Sequence, residues 1–114
     1  MPYINTVTTK KIDEKTKKDL TRLLGEAIEI LPGKSEKWLM LRFEGGAEMA
    51  FQGDCDSDTA MLEVSLYGKA DPAALDRLTA RLSEIITDTL GVPSDKIYVK
   101  YFETDTWGYD GGNL

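Results

Sequence analysis

The sequence predicts an α/β domain in which two copies of a βαβ unit join into a four-stranded mixed sheet with two helices on one face. Three observations predict it. Two stretches carry helical apolar spacing, around Leu20 to Leu31 and Leu75 to Leu90, and each is flanked by short apolar runs of strand length. Ser35-Glu36-Lys37 before a run ending Phe43-Glu44 is matched by Ser94-Asp95-Lys96 before a run ending Phe102-Glu103, at one constant offset that also relates Leu31 to Leu90. An offset this long with two copies describes a duplicated unit, not an array. Right-handed crossovers put both helices on the same side of the sheet, and the uncovered face calls for self-association. The 114 residues form a single domain, 1–114, with pseudo-repeats 1–58 and 59–114.

Residues 2 to 8 alternate as a strand, with Ile4, Thr6 and Thr8 on one face and Tyr3, Asn5 and Val7 on the other. Asp13 is placed to cap a helix over Lys15 to Ile30, whose stripe is Leu20, Leu23, Leu24, Ala27, Ile28 and Leu31, and Pro32-Gly33 ends it. The nearly continuous apolar run Trp38 to Phe43 reads as a strand buried on both faces in a parallel pair, with Trp38 in the core, and Glu44-Gly45-Gly46 stops it. Ala47 to Gly53 reads as a short strand before the loop 54–58, and Met61 to Tyr67 as a longer one. Pro72 suits the first turn of a second helix capped by Asp71, with the stripe Leu75, Leu78, Leu82, Ile85, Ile86 and Leu90 running to Gly91. Lys96 to Phe102 is the last long strand. The tail 103–114 is rich in glycine and aspartate but carries Trp107 and Tyr109, and this apolar surface predicts that it docks on something.

Composition removes much chemistry. Hydrophobic residues make up 41% and charged residues 30%, ordinary globular values, and no window approaches the ~18 apolar residues of a membrane span. A net charge of −6 repels phosphate backbones, so nucleic acid is not an expected partner. No signal peptide is visible, and a cytoplasmic location is the expectation, with leaderless secretion left open. With no histidine and one cysteine, imidazole mechanisms, Cys/His zinc sites and internal disulfides are out. Cys55 lies between Asp54 and Asp56, whose negative charge disfavours a thiolate. The acidic loop lacks the glycine and the glutamate of a calcium loop, having Thr59 and Ser65 there. Neither Gly45-Gly46 nor Gly111-Gly112 has the spacing of a phosphate loop.

Pro2 stands directly behind Met1. Its plain reading is a small residue after the initiator. If Met1 is removed, however, its nitrogen becomes a free secondary amine, able to act as a base without side-chain chemistry. An α-amine has an ordinary pKa of about 8, and neighbouring cations lower it.

Met1-Pro2, Gly33-Lys34, Met49-Ala50-Phe51 with Gly53, Gly68-Lys69, Ile97-Tyr98-Val99-Lys100-Tyr101 and Trp107-Gly108-Tyr109 occur in this order from end to end. In them the chain resembles the macrophage migration inhibitory factor and D-dopachrome tautomerase family of the tautomerase superfamily. The resemblance implies a homotrimer whose sheets line a central barrel, with an active site at each subunit interface. It implies a keto-enol tautomerase, needing no cofactor or metal, that acts on aromatic α-keto acids such as phenylpyruvate and on dopachrome-like compounds. By position, Pro2 resembles the catalytic base and Lys34 the cation that receives the substrate carboxylate. Tyr67 falls beside the pocket, Tyr98 of a neighbouring subunit lines it, and Tyr109 lies near its rim.

Two positions depart from the family pattern. Lys100 stands where the family's best-known member has asparagine, which implies a second cation that favours dianionic substrates or replaces an amide hydrogen bond. Thr59-Ala60-Met61-Leu62 replaces a Cys-X-X-Cys, so no dithiol chemistry carries over. Two alternatives stay open: a cytokine-like interaction protein with a protein receptor, and another proline-dependent reaction such as dehalogenation or hydration of an unsaturated acid.

Overall fold

A computed structural model describes all residues from Met1 to Leu114. Strand β1 (Pro2–Thr8) leads into helix α1 (Glu14–Ala27) and strand β2 (Met40–Glu44); strand β3 (Ala60–Tyr67) leads into helix α2 (Pro72–Leu90) and strand β4 (Ile97–Thr104). A two-stranded hairpin, β5 (Gly108–Tyr109) and β6 (Gly112–Asn113), ends the chain. The four long strands lie in the order β2-β1-β3-β4. Within each βαβ unit the strands pair in parallel, β1 with β2 and β3 with β4, while β1 and β3 join the two halves antiparallel. This is the expected duplicated architecture.

The strands alternate strictly. Ile4, Thr6 and Thr8 of β1 and Ala60, Leu62, Val64 and Leu66 of β3 are buried under the helices, where they meet Leu20, Leu24, Ile28, Leu78, Leu82, Ile85 and Ile86. Both stripes thus pack on one side, as the spacing of their leucines demands. Asp13 caps α1, its carboxylate accepting from the Thr16 N–H at 2.8 Å, and this bond holds the Asp13 carboxyl below its ordinary range. Asp71 occupies the corresponding position before α2 without a side-chain bond, so Pro72 alone marks that start. Gly91 closes α2 at φ 74°, a left-handed conformation that suits glycine.

Three expectations are corrected. The run Trp38 to Phe43 is not a strand buried on both faces: β2 begins at Met40 and lies at the sheet's edge, where Met40, Arg42 and Glu44 are exposed and only Leu41 and Phe43 lean on the core. Having one neighbour instead of two, an edge strand stays half open whatever its composition. Trp38 belongs to the short 3₁₀ turn Glu36–Trp38 and is 41% exposed, so it is not core. Ala47 to Gly53 forms no strand. There the chain makes one tight reversal, with Phe51 and Asp54 exchanging two 3.0 Å backbone bonds around Gln52 and Gly53, both at positive φ.

On the open face the side chains form rows across the strands. Met40, Tyr3, Ser65 and Phe102 make the first, Arg42, Asn5, Glu63 and Lys100 the second, and Glu44, Val7, Met61 and Tyr98 the third. The second row is bonded from edge to edge. Arg42 donates to Asn5 at 2.9 Å, Asn5 donates to Glu63 at 3.4 Å, and Lys100 pairs with Glu63 at 3.2 Å.

One polar atom in the core stands alone. The hydroxyl of Thr6 is fully buried on the helix side and has no hydrogen-bond partner, whereas Thr8 beside it donates to the Thr59 carbonyl at 2.8 Å. Burying such a group unpaired costs roughly 1–3 kcal/mol. Thr6→Val, which keeps the shape and drops the hydroxyl, is therefore expected to stabilise the fold by about 1 kcal/mol in urea unfolding, while Thr8→Val is expected to destabilise it.

Candidate active site

A cleft with a volume of about 730 Å³ opens at the start of β1, where the first row of the open face ends. Its floor is Pro2, Tyr3 and Ser65. One wall is the turn after α1, with Lys37, Trp38, Leu39 and Met40; the other is the C-terminal segment, with Trp107, Gly108 and Tyr109. The walls meet where Trp38 and Tyr109 pack edge to face, ring centroids 5.2 Å apart at 83°. The tail docks as its aromatic content predicts. It does so by turning through Asp110 and Gly111, both at positive φ, and by the Leu114 N–H donating to the Trp107 carbonyl at 2.9 Å.

The chain's amino end is held in place. Pro2 is buried opposite Leu66, and the Tyr67 N–H donates to the Met1 carbonyl at 3.1 Å. The turn at Gly33, φ 80°, brings Lys34 against the end of β3, where its ammonium donates to the Tyr67 carbonyl at 3.0 Å. The Met1 amine is pushed below its ordinary value of 8.0, first by burial, then by the positive charge of Lys34, and last by a hydrogen bond from Lys34 that favours the neutral amine. With Met1 present the Pro2 nitrogen is an amide and carries no basicity.

The anticipated site residues divide into two groups. Pro2 and Tyr109 line the cleft, and Lys34 and Tyr67 stand together at the amino terminus behind it. Tyr98 and Lys100 lie elsewhere on the same chain. Tyr98 pairs with Met61 at the opposite end of the sheet, roughly 17 Å along the strands from Pro2 at about 3.3 Å per residue. It is 61% exposed and packs on Phe51, ring centroids 4.7 Å apart. Lys100 shares its face, but its ammonium is engaged by Glu63 and lies 5.1 Å from the Phe102 ring.

Lys37, Trp38 and Trp107 line the cleft without having been singled out as site residues. The signal available for Trp107 was a large aromatic in a glycine-rich tail. For Lys37 there was none, because Ser-Glu-Lys reads as a polar turn.

The sequence profile described as macrophage migration inhibitory factor (MIF) matches residues 1–113. The chain belongs to the MIF family. The crystal structure of Leishmania major MIF2 is similar at 28% identity with a TM-score of 0.93, covering 100% of this chain and 97% of that one. A MIF homologue from Prochlorococcus marinus is similar at 26% identity and TM-score 0.84, covering 97% of each chain. The MIF of Toxoplasma gondii, at 19% identity and TM-score 0.81 over 98% of this chain and 99% of that one, shares the fold. A search of curated proteins finds no match. In the MIF fold, then, this chain presents a buried Pro2 on an aromatic cleft, with Lys34 beside the chain terminus at Met1. No helix is long and apolar enough to cross a membrane.

Because burial lowers the amine pKa independently of Lys34, Lys34→Met is expected to raise that pKa only part of the way back to 8.0. Titrating the isotopically methylated terminus by NMR measures it. A return to the full ordinary value would assign the whole shift to Lys34.

Proposed function

We propose that the protein is a cofactor-independent keto-enol tautomerase of aromatic α-keto acids such as phenylpyruvate, with the Pro2 amine, freed by removal of Met1, as its base. One observation carries the reading: Pro2 is buried at the floor of an aromatic-walled cleft, with the Lys34 ammonium beside the chain terminus. Burial and that positive charge lower the pKa of an amine placed there and so raise the share of its neutral form, the one that accepts a proton. Trp38, Trp107 and Tyr109 supply flat apolar surface for an aryl ring. Lys34 draws the substrate carboxylate to the end of β3 and so brings the keto group and its neighbouring carbon over the proline.

In the forward direction the Pro2 amine takes a proton from the carbon next to the ketone. The electrons of that C–H bond form the C=C bond, the carbonyl oxygen takes a proton from water, and the prolinium returns its own to solvent. Charge on the developing enolate is shared with the aryl ring on the deprotonated carbon, and the positive charge of Lys34 on the neighbouring carboxylate favours it electrostatically.

The proposal includes a homotrimer in which a neighbouring subunit brings Tyr98 to the cleft. Its support is an uncovered sheet face carrying exposed Met40, Phe102 and Tyr98, together with the position of Tyr98 far from Pro2 on its own chain. Light scattering at micromolar concentration is expected to give three times the chain mass, and a stable monomer would sink this part.

For the chemistry, retaining Met1 is expected to lower kcat/KM on phenylpyruvate by roughly 10²- to 10⁴-fold, the usual worth of a general base. Pro2→Gly, which keeps a primary amine but loses the ring that fixes its direction, is expected to fall between. As the amine must be neutral, kcat/KM should rise with pH through an ionisation below that of an ordinary α-amine and then level off. Equal rates for the Met1-retaining and processed forms would remove Pro2 as the base.

A further inference from the structure

We infer that Lys37 is a specificity-determining residue that selects substrates with a second carboxylate, carried at the end of the aryl group remote from the keto acid. The inference rests on the tautomerase reading of the cleft and names its substrate class. Lys37 is the one charged side chain that lines the cleft, and no acidic residue shares that lining. Its ammonium is 5.1 Å from the Trp38 ring centroid, on the aromatic wall itself. None of the chain's seven ion pairs involves it.

The acid next to it in sequence is turned away. Glu36 lays its carboxylate over Gly25 of α1, in space that a Cβ at that position would take. Glycine is disfavoured inside a helix, and here it leaves room for that carboxylate on the helix side. The cation at the lip is thus left without a counter-charge, in contrast to Lys100 and Arg42, which are held by Glu63 and Glu44.

The two lysines of the turn after α1 sit at different places. Lys34 stands behind the proline at the end of β3, whereas Lys37 stands on the outer wall with Trp38. A substrate with one carboxylate satisfies Lys34 alone. A para-carboxylated arylpyruvate lies along the cleft with its keto acid at Lys34 and Pro2, its ring against Trp38 and Tyr109, and its second carboxylate at Lys37.

The test uses the full chain with Met1 removed and reads Trp38 and Trp107 fluorescence on titration with two unreactive probes, phenylacetate and 4-carboxyphenylacetate. The diacid is expected to bind about fivefold more tightly, the scale of an exposed ion pair, and to lose that advantage in 0.5 M salt. Lys37→Gln should abolish the advantage and leave phenylacetate unchanged, and Lys37→Arg should keep it. Equal binding of the probes, binding of neither, or an equal loss for both in Lys37→Gln overturns the inference. Turnover of phenylpyruvate and 4-carboxyphenylpyruvate separates the two claims. Discriminating binding without turnover of either supports Lys37 as the selector and overturns the tautomerase reading; turnover of both at ratios that Lys37→Gln does not change overturns Lys37 and keeps the enzyme.

Discussion

The antiparallel pairing of β1 with β3, Pro2 against Leu66 through to Thr8 against Ala60, is the constraint on which the rest depends. It joins the two βαβ halves, and it makes the first strand of the chain an interior strand of the sheet. Chain termini ordinarily fray unless they are tied down. Here the tie is a full ladder on one side, a parallel partner on the other, and the bond from Tyr67 to the Met1 carbonyl. A base made of backbone nitrogen has no side-chain torsion of its own to position, so its direction is set only by the strand that carries it. The register that packs Ile4 against the helices therefore also aims the amino end and lays Tyr3 and Ser65 under the cleft.

Charge on the open face is arranged by the same register. The second row places Glu63 and Lys100 on neighbouring strands, so this ion pair follows from the register, while Arg42 meets Glu44 of its own strand. Such exposed pairs add little to stability. What they do is fix where positive charge is neutralised and, by difference, where it is not. The first row holds no carboxylate, and the two lysines of the turn after α1 supply the positive charge near the cleft. An acidic protein with net charge −6 thereby keeps positive charge beside its cleft.

Much of this was legible in the sequence, for physical reasons that vary by element. The helices were legible because 3.6-residue spacing is local, and the crossing of two units was legible because the Ser-Glu-Lys and Ser-Asp-Lys turns repeat at one offset. The burial of β2 was not, since Trp38 to Phe43 has the composition of an interior strand and only the strand order shows that it has one neighbour. Gln52 defeated the reading of 47–53, because a positive φ at a non-glycine residue leaves no mark in composition. Within the site, Pro2 and Tyr109 could be named from motifs, but Lys37 could not. Its lack of a counter-charge goes with Glu36 turning toward Gly25, and a contact between a turn and a helix interior is invisible in a pattern of single residues.

The floor and the walls of the cleft are built from different kinds of structure. Pro2, Tyr3 and Ser65 stand on strands whose backbones are bonded on both sides. Lys37 and Trp38 stand on a single 3₁₀ turn, and Trp107 and Tyr109 on a two-residue hairpin, joined by one aromatic contact with both rings largely exposed. Segments with few buried contacts open at lower free energy than the core. The division also separates what each can change: altering the floor disturbs the sheet, whereas altering the turn or the hairpin changes only the cleft wall. In the tautomerase proposed above, proton transfer would thus be tied to the fold, and the choice of substrate to segments outside the main sheet.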